Sequence, residues 1–172
     1  MVCSASAFDS GQSEFLILYG RRRVGKTELL AHLASAARSF YFEATDTVPA
    51  QQLRDVTDEL ARVSGNELLR AQYLTTWDAA LTAIAQFIGT QRPLVVLDEF
   101  QLLAARSPEL ETTISRWWRT TGRTLPIVLV LAGSELSFFE DKVLAGQLYG
   151  RRTGQLKLEQ FTARDAALFH PG

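Results

Sequence analysis

The sequence has few of the residues that would build a disulfide, a metal cluster or a strongly charged surface. One cysteine, Cys3, excludes an internal disulfide and cannot form a metal site by itself. The two histidines, His32 and His170, are isolated and form no metal-ligand pattern. The chain has eighteen basic and nineteen acidic residues. Its net charge of -1 gives no general attraction to nucleic acid or acidic membranes. Any nucleic-acid contact would have to be local, so nucleic acid is not an expected partner.

Long hydrophobic runs are also missing. The longest clean apolar run, Ile127 to Ala132, is far too short to cross a bilayer. The N-terminus has neither the basic start nor the apolar core of a secretory signal. We therefore expect a cytoplasmic protein without membrane contact. With 172 residues, 47% apolar and 22% charged, the chain fits a loose polar leader over residues 1-13 and a single domain over residues 14-172.

The stretch from Phe15 to Leu30, FLILYGRRRVGKTELL, carries the strongest motif. Gly20, Gly25, Lys26 and Thr27 form the pattern G-x-x-x-x-G-K-T between an apolar run and a helical pattern, the context that a phosphate-binding P-loop (Walker A motif) requires. A glycine-bounded turn with an exposed lysine is the alternative, and the strand-to-helix setting argues against it. Glycines let the backbone turn its N–H groups toward a triphosphate, and the following helix aims the positive end of its dipole at the same anion.

The loop residues have expected roles in holding a nucleotide. Lys26 supplies a mobile cation for the β- and γ-phosphate oxygens, and the Thr27 hydroxyl is placed to ligate Mg²⁺. The three interior arginines are expected to contribute mainly backbone groups, so their side chains are assigned no catalytic role. The predicted nucleotide-binding residues are Gly20, Arg21, Arg22, Arg23, Val24, Gly25, Lys26, Thr27 and Glu28.

A second apolar run, Leu94 to Leu97, ends in Asp98 and Glu99 and matches the Walker B pattern. Asp98 is the predicted residue of the Mg²⁺ shell, and Glu99 is the predicted general base that polarises the attacking water. Taken alone, such an acidic pair is more often a solvated strand end. The P-loop earlier in the chain favours the functional interpretation.

A third apolar run ends in Gly133 and Ser134. Because ligands of open parallel sheets bind outside the carboxyl ends of the strands, the three run ends are expected to converge on one crevice. Ser134 resembles a sensor residue on a strand between the two Walker strands, where its hydroxyl would bond the γ-phosphate or the water. An N-cap for the helix that follows is an equally good interpretation and does not exclude the first.

Apolar periodicity predicts strands that alternate with helices, and hence an α/β sandwich with right-handed crossovers. Runs that are apolar on both faces are typical of a parallel sheet covered by helices on both sides. The predicted strands are Phe15–Tyr19, Ser39–Glu43, Leu94–Leu97, Ile127–Ala132 and Gln155–Leu158. The predicted helices are Thr27–Arg38, a helix between Pro49 and Gly65, Trp77–Ile88, Leu110–Thr120, about Glu135–Leu144 and a short helix from Thr162.

The sequence contains four blocks in this order: GRRRVGKTELL, LVVLDEFQLLA, LAGSELSFFE and LYGRRTGQLKLEQF. The archaeal-type ATPase family, which belongs with the AAA+/STAND-like P-loop ATPases, has similar blocks in the same order. The sequence therefore resembles that family. The resemblance implies a P-loop NTPase three-layer α/β/α sandwich, with a five-stranded parallel sheet in the order 5-1-4-3-2 and helices on both faces. It also implies ATP binding and Mg²⁺-dependent hydrolysis that drives a conformational switch. The family's Phe-x-Gly-Arg element is not matched by residues 8-11, so the chain resembles a core without the adenine-side segment and the lid.

By the same resemblance, Arg152 or its neighbour Arg151 occupies the place where relatives present an arginine finger to the γ-phosphate of a neighbouring subunit. This implies a homo-oligomer, or a partner protein that supplies or receives the finger; a basic solvated loop is the alternative. The adjacent Trp117 and Trp118 lie on one predicted helix, so one is expected in the core and the other is a candidate docking surface. The predicted catalytic residues are Glu99, Lys26, Ser134 and Arg152.

Three functions compete. An ATPase ranks first, and a nucleotide-gated switch or scaffold with negligible hydrolysis until assembly ranks second. A nucleic-acid-associated module, using the arginines at 21-23 and 151-152, is a distant third because the sequence lacks a basic stripe with interleaved aromatic residues. Glu99 favours hydrolysis, whereas the missing lid favours the gated switch.

Overall fold

A five-stranded sheet, in which every pairing is parallel, forms the centre of the protein. The structure is a computed structural model and describes residues 12-35, 38-88 and 92-159. The strand order β2-β3-β4-β1-β5 is the predicted order 5-1-4-3-2 counted from the other edge, so the predicted P-loop NTPase fold is confirmed. The strands are β1 (Glu14–Tyr19), β2 (Ser39–Glu43), β3 (Leu94–Asp98), β4 (Val128–Gly133) and β5 (Gly154–Lys157).

Helices of three kinds connect the strands. The α-helices are α1 (Lys26–Ser35), α2 (Pro49–Ser64), α3 (Leu68–Ala71), α4 (Trp77–Ile88), α5 (Phe100–Arg106) and α6 (Leu110–Thr120). A 3₁₀ turn spans Gly122–Thr124, and a π-helix spans Phe138–Val143. In the described ranges, no helix has both the length and the apolar character needed to span a membrane. The predicted leader, apart from its last two residues, and the predicted helix from Thr162 lie outside the described residues.

Two of the elements that depart from the sequence prediction lie next to the ends of β3 and β4. The sequence pattern does not predict α5, which begins directly after Glu99, because the left-handed backbone of Glu99 (φ 51°, ψ 40°) turns the chain from strand into helix without a loop. The α-helix predicted from about Glu135 to Leu144 is a π-helix over most of its length. Both Phe138 and Phe139 are buried there, and their rings pack edge to face with centroids 5.4 Å apart.

The two faces of the sheet are covered by different helices. On one face, Leu18, Val96 and Val130 pack with Leu30 of α1. The other face is covered by α2, α4, α5, α6 and the π-helix, which contribute to the larger core cluster. Strands β3 and β4 are buried along their full lengths, as a parallel sheet covered on both sides requires. The polar residues that follow these strands are therefore held at the edge of a packed sheet.

Trp117 and Trp118 of α6 are both buried, with 7% and 5% of their surface exposed. The expectation that one of them forms a docking surface is therefore wrong. Trp118 packs on Phe15 of β1 with ring centroids 5.1 Å apart, and Trp117 packs on Trp118 at 6.3 Å. The turn at Gly122 covers both rings, since a Cβ at this position would lie 2.6 Å from each. The glycine turn thus buries the second indole, which the helix alone would leave outside.

Candidate nucleotide-binding site

The carboxyl ends of β1, β3 and β4 lie side by side at one edge of the sheet. Gly20, directly after β1, donates its backbone N–H to the Gly133 carbonyl at the end of β4 (3.3 Å). Ser134, directly after β4, donates its hydroxyl to the carboxylate of Glu99, which follows β3 (2.8 Å). The fold therefore brings together the three groups of polar residues that end the apolar runs.

The loop between Gly20 and Gly25 adopts a backbone that depends on its glycines. Gly25 has a left-handed φ of 87°, which glycine adopts without steric cost, and Arg23 is also left-handed, with φ 66°. Gly20 lies so close to the segment after β5 that a Cβ would approach the Leu158 carbonyl oxygen to 2.3 Å. The Leu29 N–H donates to the Gly25 carbonyl at 3.0 Å, so helical bonding begins at the second glycine of the loop.

Lys26 opens α1, and only 5% of its surface is exposed. Its Nζ donates to the carbonyl oxygens of Gly20 (2.8 Å) and Arg21 (3.1 Å), so the ammonium group lies within the loop. A bond from an ammonium group to an anionic phosphate oxygen is stronger than one to a neutral carbonyl. The side chain is thus placed where a bound triphosphate would compete for it.

The other predicted loop residues face outward or line a cavity. Arg21, Arg22 and Arg23 are exposed, as is Glu28 in the first turn of α1. Beside the loop lies a cavity of about 290 Å³ that is lined by three apolar and three charged residues. Its lining consists of Arg21, Val24, Leu136, Lys157, Leu158 and Glu159.

Asp98, at the end of β3, is 1% exposed, and both of its carboxylate oxygens have hydrogen-bond partners. Oδ1 accepts the backbone N–H of Glu99 (2.8 Å), and Oδ2 accepts the Tyr41 hydroxyl (2.6 Å) and the Thr27 hydroxyl (3.4 Å). Mg²⁺ in nucleotide sites takes oxygen ligands, one or two from the protein and the others from phosphate and water. The hydroxyl of Thr27 and the carboxylate of Asp98 therefore form a donor set that fits Mg²⁺.

Tyr41 belongs to this site and was missed by sequence reasoning. It lies on β2 opposite Val96 of β3, and this register carries its hydroxyl to Asp98. Burial, the hydrogen bond to Asp98 and the charge of that carboxylate raise the pKa of Tyr41, so the phenol stays a neutral donor through the physiological pH range. The signal available in the sequence was a tyrosine in the strand SFYFE, because a tyrosine hydroxyl that is removed from solvent usually finds a hydrogen-bond partner.

Replacement of Tyr41 by phenylalanine is expected to lower the free energy of unfolding by about 1–3 kcal/mol, because the buried Asp98 carboxylate loses a donor. Urea unfolding of the nucleotide-free protein at neutral pH measures this change. Above about pH 10 the difference should shrink, because Tyr41 ionises first in the unfolded chain and the stability present at lower pH is lost. The matched control is Tyr73→Phe, since Tyr73 is exposed; equal losses in both variants would contradict a specific role for the hydrogen bond to Asp98.

Glu99 and Ser134 share a hydrogen-bonded cluster with Gln101, in the first turn of α5. The Ser134 hydroxyl donates to Glu99 Oε2. Gln101 Nε2 donates to the same oxygen and also to the Ser134 hydroxyl (3.4 Å). Sequence reasoning did not single out Gln101, whose position two residues after Glu99 was the available signal. The residues predicted as base and sensor are thus in direct contact, with an amide bonded to both.

Arg152 lies away from the P-loop of its own chain. It precedes β5, and the pairing of Gly154 with Leu16 places it near the amino end of β1, whereas the P-loop follows the carboxyl end. Its guanidinium lies 4.3 Å from the ring centroid of Tyr149 and donates to the Tyr149 carbonyl. Arg151 donates to a serine hydroxyl of α6. The fold does not bring either arginine to the other predicted site residues, so a contact with this nucleotide site would have to come from another copy.

The family model for the AAA domain matches residues 9-140. The chain belongs to this family. Membership supports a nucleotide-binding function of the ATPase type and confirms the resemblance to AAA+ P-loop ATPases. This AAA domain is also 26% identical over 166 residues to an uncharacterized protein of Methanocaldococcus jannaschii, a match that covers 95% of the chain and 35% of that protein.

Solved structures share the fold of this AAA domain. The Aeropyrum pernix ORC2 protein, solved as ADPNP-ADP complexes, matches with a TM-score of 0.68 and 20% identity over 95% of this chain and 47% of that one. The Walker-type ATPase of Pyrococcus abyssi matches with a TM-score of 0.66 and 16% identity over 98% and 57% of the two chains. Drosophila ORC bound to DNA matches with a TM-score of 0.66 and 17% identity over 94% and 42%. This AAA domain thus spans about half the length of these structures and about a third of the Methanocaldococcus protein.

The expectation against nucleic acid as a partner is not supported by these neighbours. Drosophila ORC is bound to DNA in its structure. The net charge of the whole chain, -1, does not describe a local cluster of basic side chains. At 17% identity, however, the likeness concerns the fold and assigns no DNA site to this AAA domain.

Proposed function

We propose that this AAA domain binds ATP with Mg²⁺ in the cytoplasm and hydrolyses it to ADP and phosphate, and that hydrolysis drives a conformational switch. The observation that carries the proposal is the 3.4 Å distance between the Thr27 hydroxyl and the Asp98 carboxylate, which are 71 residues apart in the sequence. The two oxygens can ligate the same Mg²⁺ ion. Lys26, which is buried and carries the ammonium group for the phosphates, directly precedes Thr27.

Nucleotide binding relies on the P-loop and the first turn of α1. The free backbone N–H groups at the start of this ten-residue helix favour an anion, and its dipole adds to the attraction. Lys26 exchanges its two carbonyl acceptors for phosphate oxygens. When bound, Mg²⁺ neutralises charge on the β- and γ-phosphates, and Thr27 and Asp98 are the residues that would hold it.

Hydrolysis requires a water molecule in line with the leaving ADP. As the water oxygen attacks the γ-phosphorus, Glu99 accepts a proton from it, and the bond from the γ-phosphorus to the bridging oxygen breaks to release ADP. The proton then passes from Glu99 to the released phosphate or to solvent. Ser134 donates its hydroxyl to a γ-phosphate oxygen, and Arg152 of a second copy stabilises the charge that develops.

The nucleoside half of ATP is assigned in this proposal to the cavity beside the P-loop. The apolar side chains of Val24, Leu136 and Leu158 suit one face of a planar base. Lys157 and Glu159 provide charged groups at the same cavity for the ribose hydroxyls. A volume of about 290 Å³ is at the lower end of the range for small-molecule sites, which suits a nucleoside rather than a larger ligand.

Two observations favour the second candidate function, a nucleotide-gated switch or scaffold with negligible hydrolysis until assembly. Glu99 Oε2 accepts hydrogen bonds from both Ser134 and Gln101, so these two donors compete with a water molecule for this oxygen. Arg152 lies near the amino end of β1, whereas the P-loop of its own chain follows the carboxyl end of that strand. Both candidate functions take Arg152 from a second copy, so the amount of hydrolysis before assembly separates them. Binding of Mg-ATP without detectable phosphate release by the unassembled chain would favour the gated switch, whereas slow but measurable release would favour the ATPase.

Calorimetric titration with ATP tests the proposal directly. With Mg²⁺ present we expect saturable binding, and in EDTA the affinity should fall by about tenfold or more, equivalent to about 1.4 kcal/mol, because the charge on the phosphates is no longer neutralised. Absence of binding, or an affinity that does not depend on Mg²⁺, would contradict the proposed site. A parallel titration with DNA at two salt concentrations tests the nucleic-acid module, whose binding should weaken steeply with salt.

A further inference from the structure

Gln101 is a buried polar side chain that the proposed function does not use. Only 5% of its surface is exposed, and its Nε2 donates to both Glu99 Oε2 and the Ser134 hydroxyl. Chemistry fixes the orientation of the amide, because exchanging its oxygen and nitrogen would set an oxygen against the Glu99 carboxylate. The two N–H groups of this amide therefore face the predicted base and the predicted sensor.

The other end of the amide has no compensating contact. Among the described residues, Gln101 Oε1 is a buried acceptor without a hydrogen-bond partner, which is normally unfavourable. A Cβ at residue 133 would lie 2.1 Å from this oxygen and 2.5 Å from the Phe139 ring, so Gly133 leaves room for both. The bonds of Nε2 to Glu99 and Ser134 are thus the favourable interactions that this buried amide makes.

The Ser134 hydroxyl has one proton and can donate it to only one acceptor at a time. In the structure the acceptor is Glu99 Oε2, at 2.8 Å. If Ser134 senses the γ-phosphate, the same proton turns to a phosphate oxygen, and Glu99 loses one of the two side-chain donors that it has in the described part of the chain. The donor that stays with Glu99 is then Gln101.

We propose that Gln101 is a positioning residue for Glu99. It holds the Glu99 carboxylate through Oε2 after ATP has taken the hydroxyl of Ser134, and this leaves Oε1 available for the proton of the attacking water. The role rests on the proposed hydrolysis and deepens it. Gln101 acts through Glu99 and not on the nucleotide, so its loss should slow the chemical step without weakening nucleotide binding.

The first test is Gln101→Met, which keeps a similar size and removes the donor. Single-turnover phosphate release is expected to slow by about 10–100-fold, as for outer-shell partners of other sites, with the Kd for Mg-ATP unchanged. In a Glu99→Gln background the same substitution should have almost no further effect, because no base is left to position. The matched control is Gln52→Met: Gln52 is also buried and donates to the Leu102 carbonyl of α5, and its Oε1 has no hydrogen-bond partner within the described ranges. It should change stability without slowing phosphate release.

A second variant, Gln101→Glu, keeps the shape of the side chain and makes its donor depend on pH. When protonated, the introduced carboxyl can donate its O–H to Glu99; when ionised, it repels the carboxylate. The rate of this variant relative to the wild type should therefore fall as the pH rises. A purely structural role predicts a ratio that does not change with pH, and that result would overturn the proposal.

The side-chain amide of Gln101 also gives a readout that needs no turnover. Its proton–nitrogen resonances, assigned by their loss in Gln101→Met, should shift in Glu99→Gln and stay in place in Gln52→Met. Two results would overturn the positioning role but not the proposed function. One is that these resonances do not shift in Glu99→Gln; the other is that Gln101→Met releases phosphate at the wild-type rate while Glu99→Gln releases it slowly. If Glu99→Gln is itself as fast as the wild type, the proposed function loses its base and Gln101 loses its role as well.

Discussion

Replacement of Lys26 by alanine is expected to lower the affinity for Mg-ATP by at least about 100-fold, because two charge-assisted bonds of about 1.5–3 kcal/mol each are lost. The ammonium group lies inside the P-loop, bonded to the carbonyls of Gly20 and Arg21, within the loop that a triphosphate would occupy. Alanine removes the cation but leaves the backbone N–H groups of the loop, so the remaining binding should be weak rather than absent. Calorimetric titration at a fixed Mg²⁺ concentration measures the difference.

Lys142→Ala is the matched control for the loss of a lysine. Lys142 is exposed on the π-helix, and its replacement should leave the affinity for Mg-ATP unchanged. Urea unfolding of both variants shows whether the fold is retained. Equal binding of Mg-ATP by Lys26→Ala and the wild type would remove the assignment of the P-loop as the phosphate site.

The second large effect is expected on hydrolysis rather than on binding. Glu99→Gln should slow single-turnover phosphate release by about 10²–10⁴-fold, the contribution of a positioned general base, and leave the Kd for Mg-ATP unchanged. The introduced amide keeps one oxygen that can accept from Ser134 and Gln101, so the cluster around residue 99 is preserved. The change therefore removes the proton acceptor and little else.

Glu109→Gln is the control for this second effect, because Glu109 is an exposed glutamate directly before α6. Its rate of phosphate release should equal that of the wild type. If Glu99→Gln also releases phosphate at the wild-type rate, Glu99 is not the base. Only a wild-type rate that is itself negligible would make the nucleotide-gated switch the better description of the protein.

The sheet and the edge that carries the site could be predicted because they depend on local patterns. Runs such as 94-97 are apolar on both faces, which is typical of parallel strands covered by helices. Parallel strands end at the same edge, so Asp98 and Ser134 could be assigned to the edge of Gly20 from the sequence. The strand order could not be predicted from periodicity. It followed from the family resemblance, and the structure confirms it.

The side-chain partners at this edge could not be predicted, because they depend on register and on one backbone angle. Tyr41 reaches Asp98 because β2 pairs with β3 in a register that sets Tyr41 opposite Val96, and a shift of one residue would turn its hydroxyl to the other face. Gln101 reaches Glu99 because the left-handed backbone of Glu99 starts α5 immediately after the strand. Neither the register nor the angle is encoded in a residue type.

The burial of Trp117 and Trp118 likewise depends on a tertiary contact, the turn at Gly122. Trp118 packs on Phe15 at the amino end of β1, whereas the P-loop begins at the carboxyl end of the same strand. The intrinsic fluorescence of these two indoles will therefore report when the domain unfolds, but it will be insensitive to whether a nucleotide is bound. An optical assay of nucleotide binding therefore cannot rely on Trp117 and Trp118.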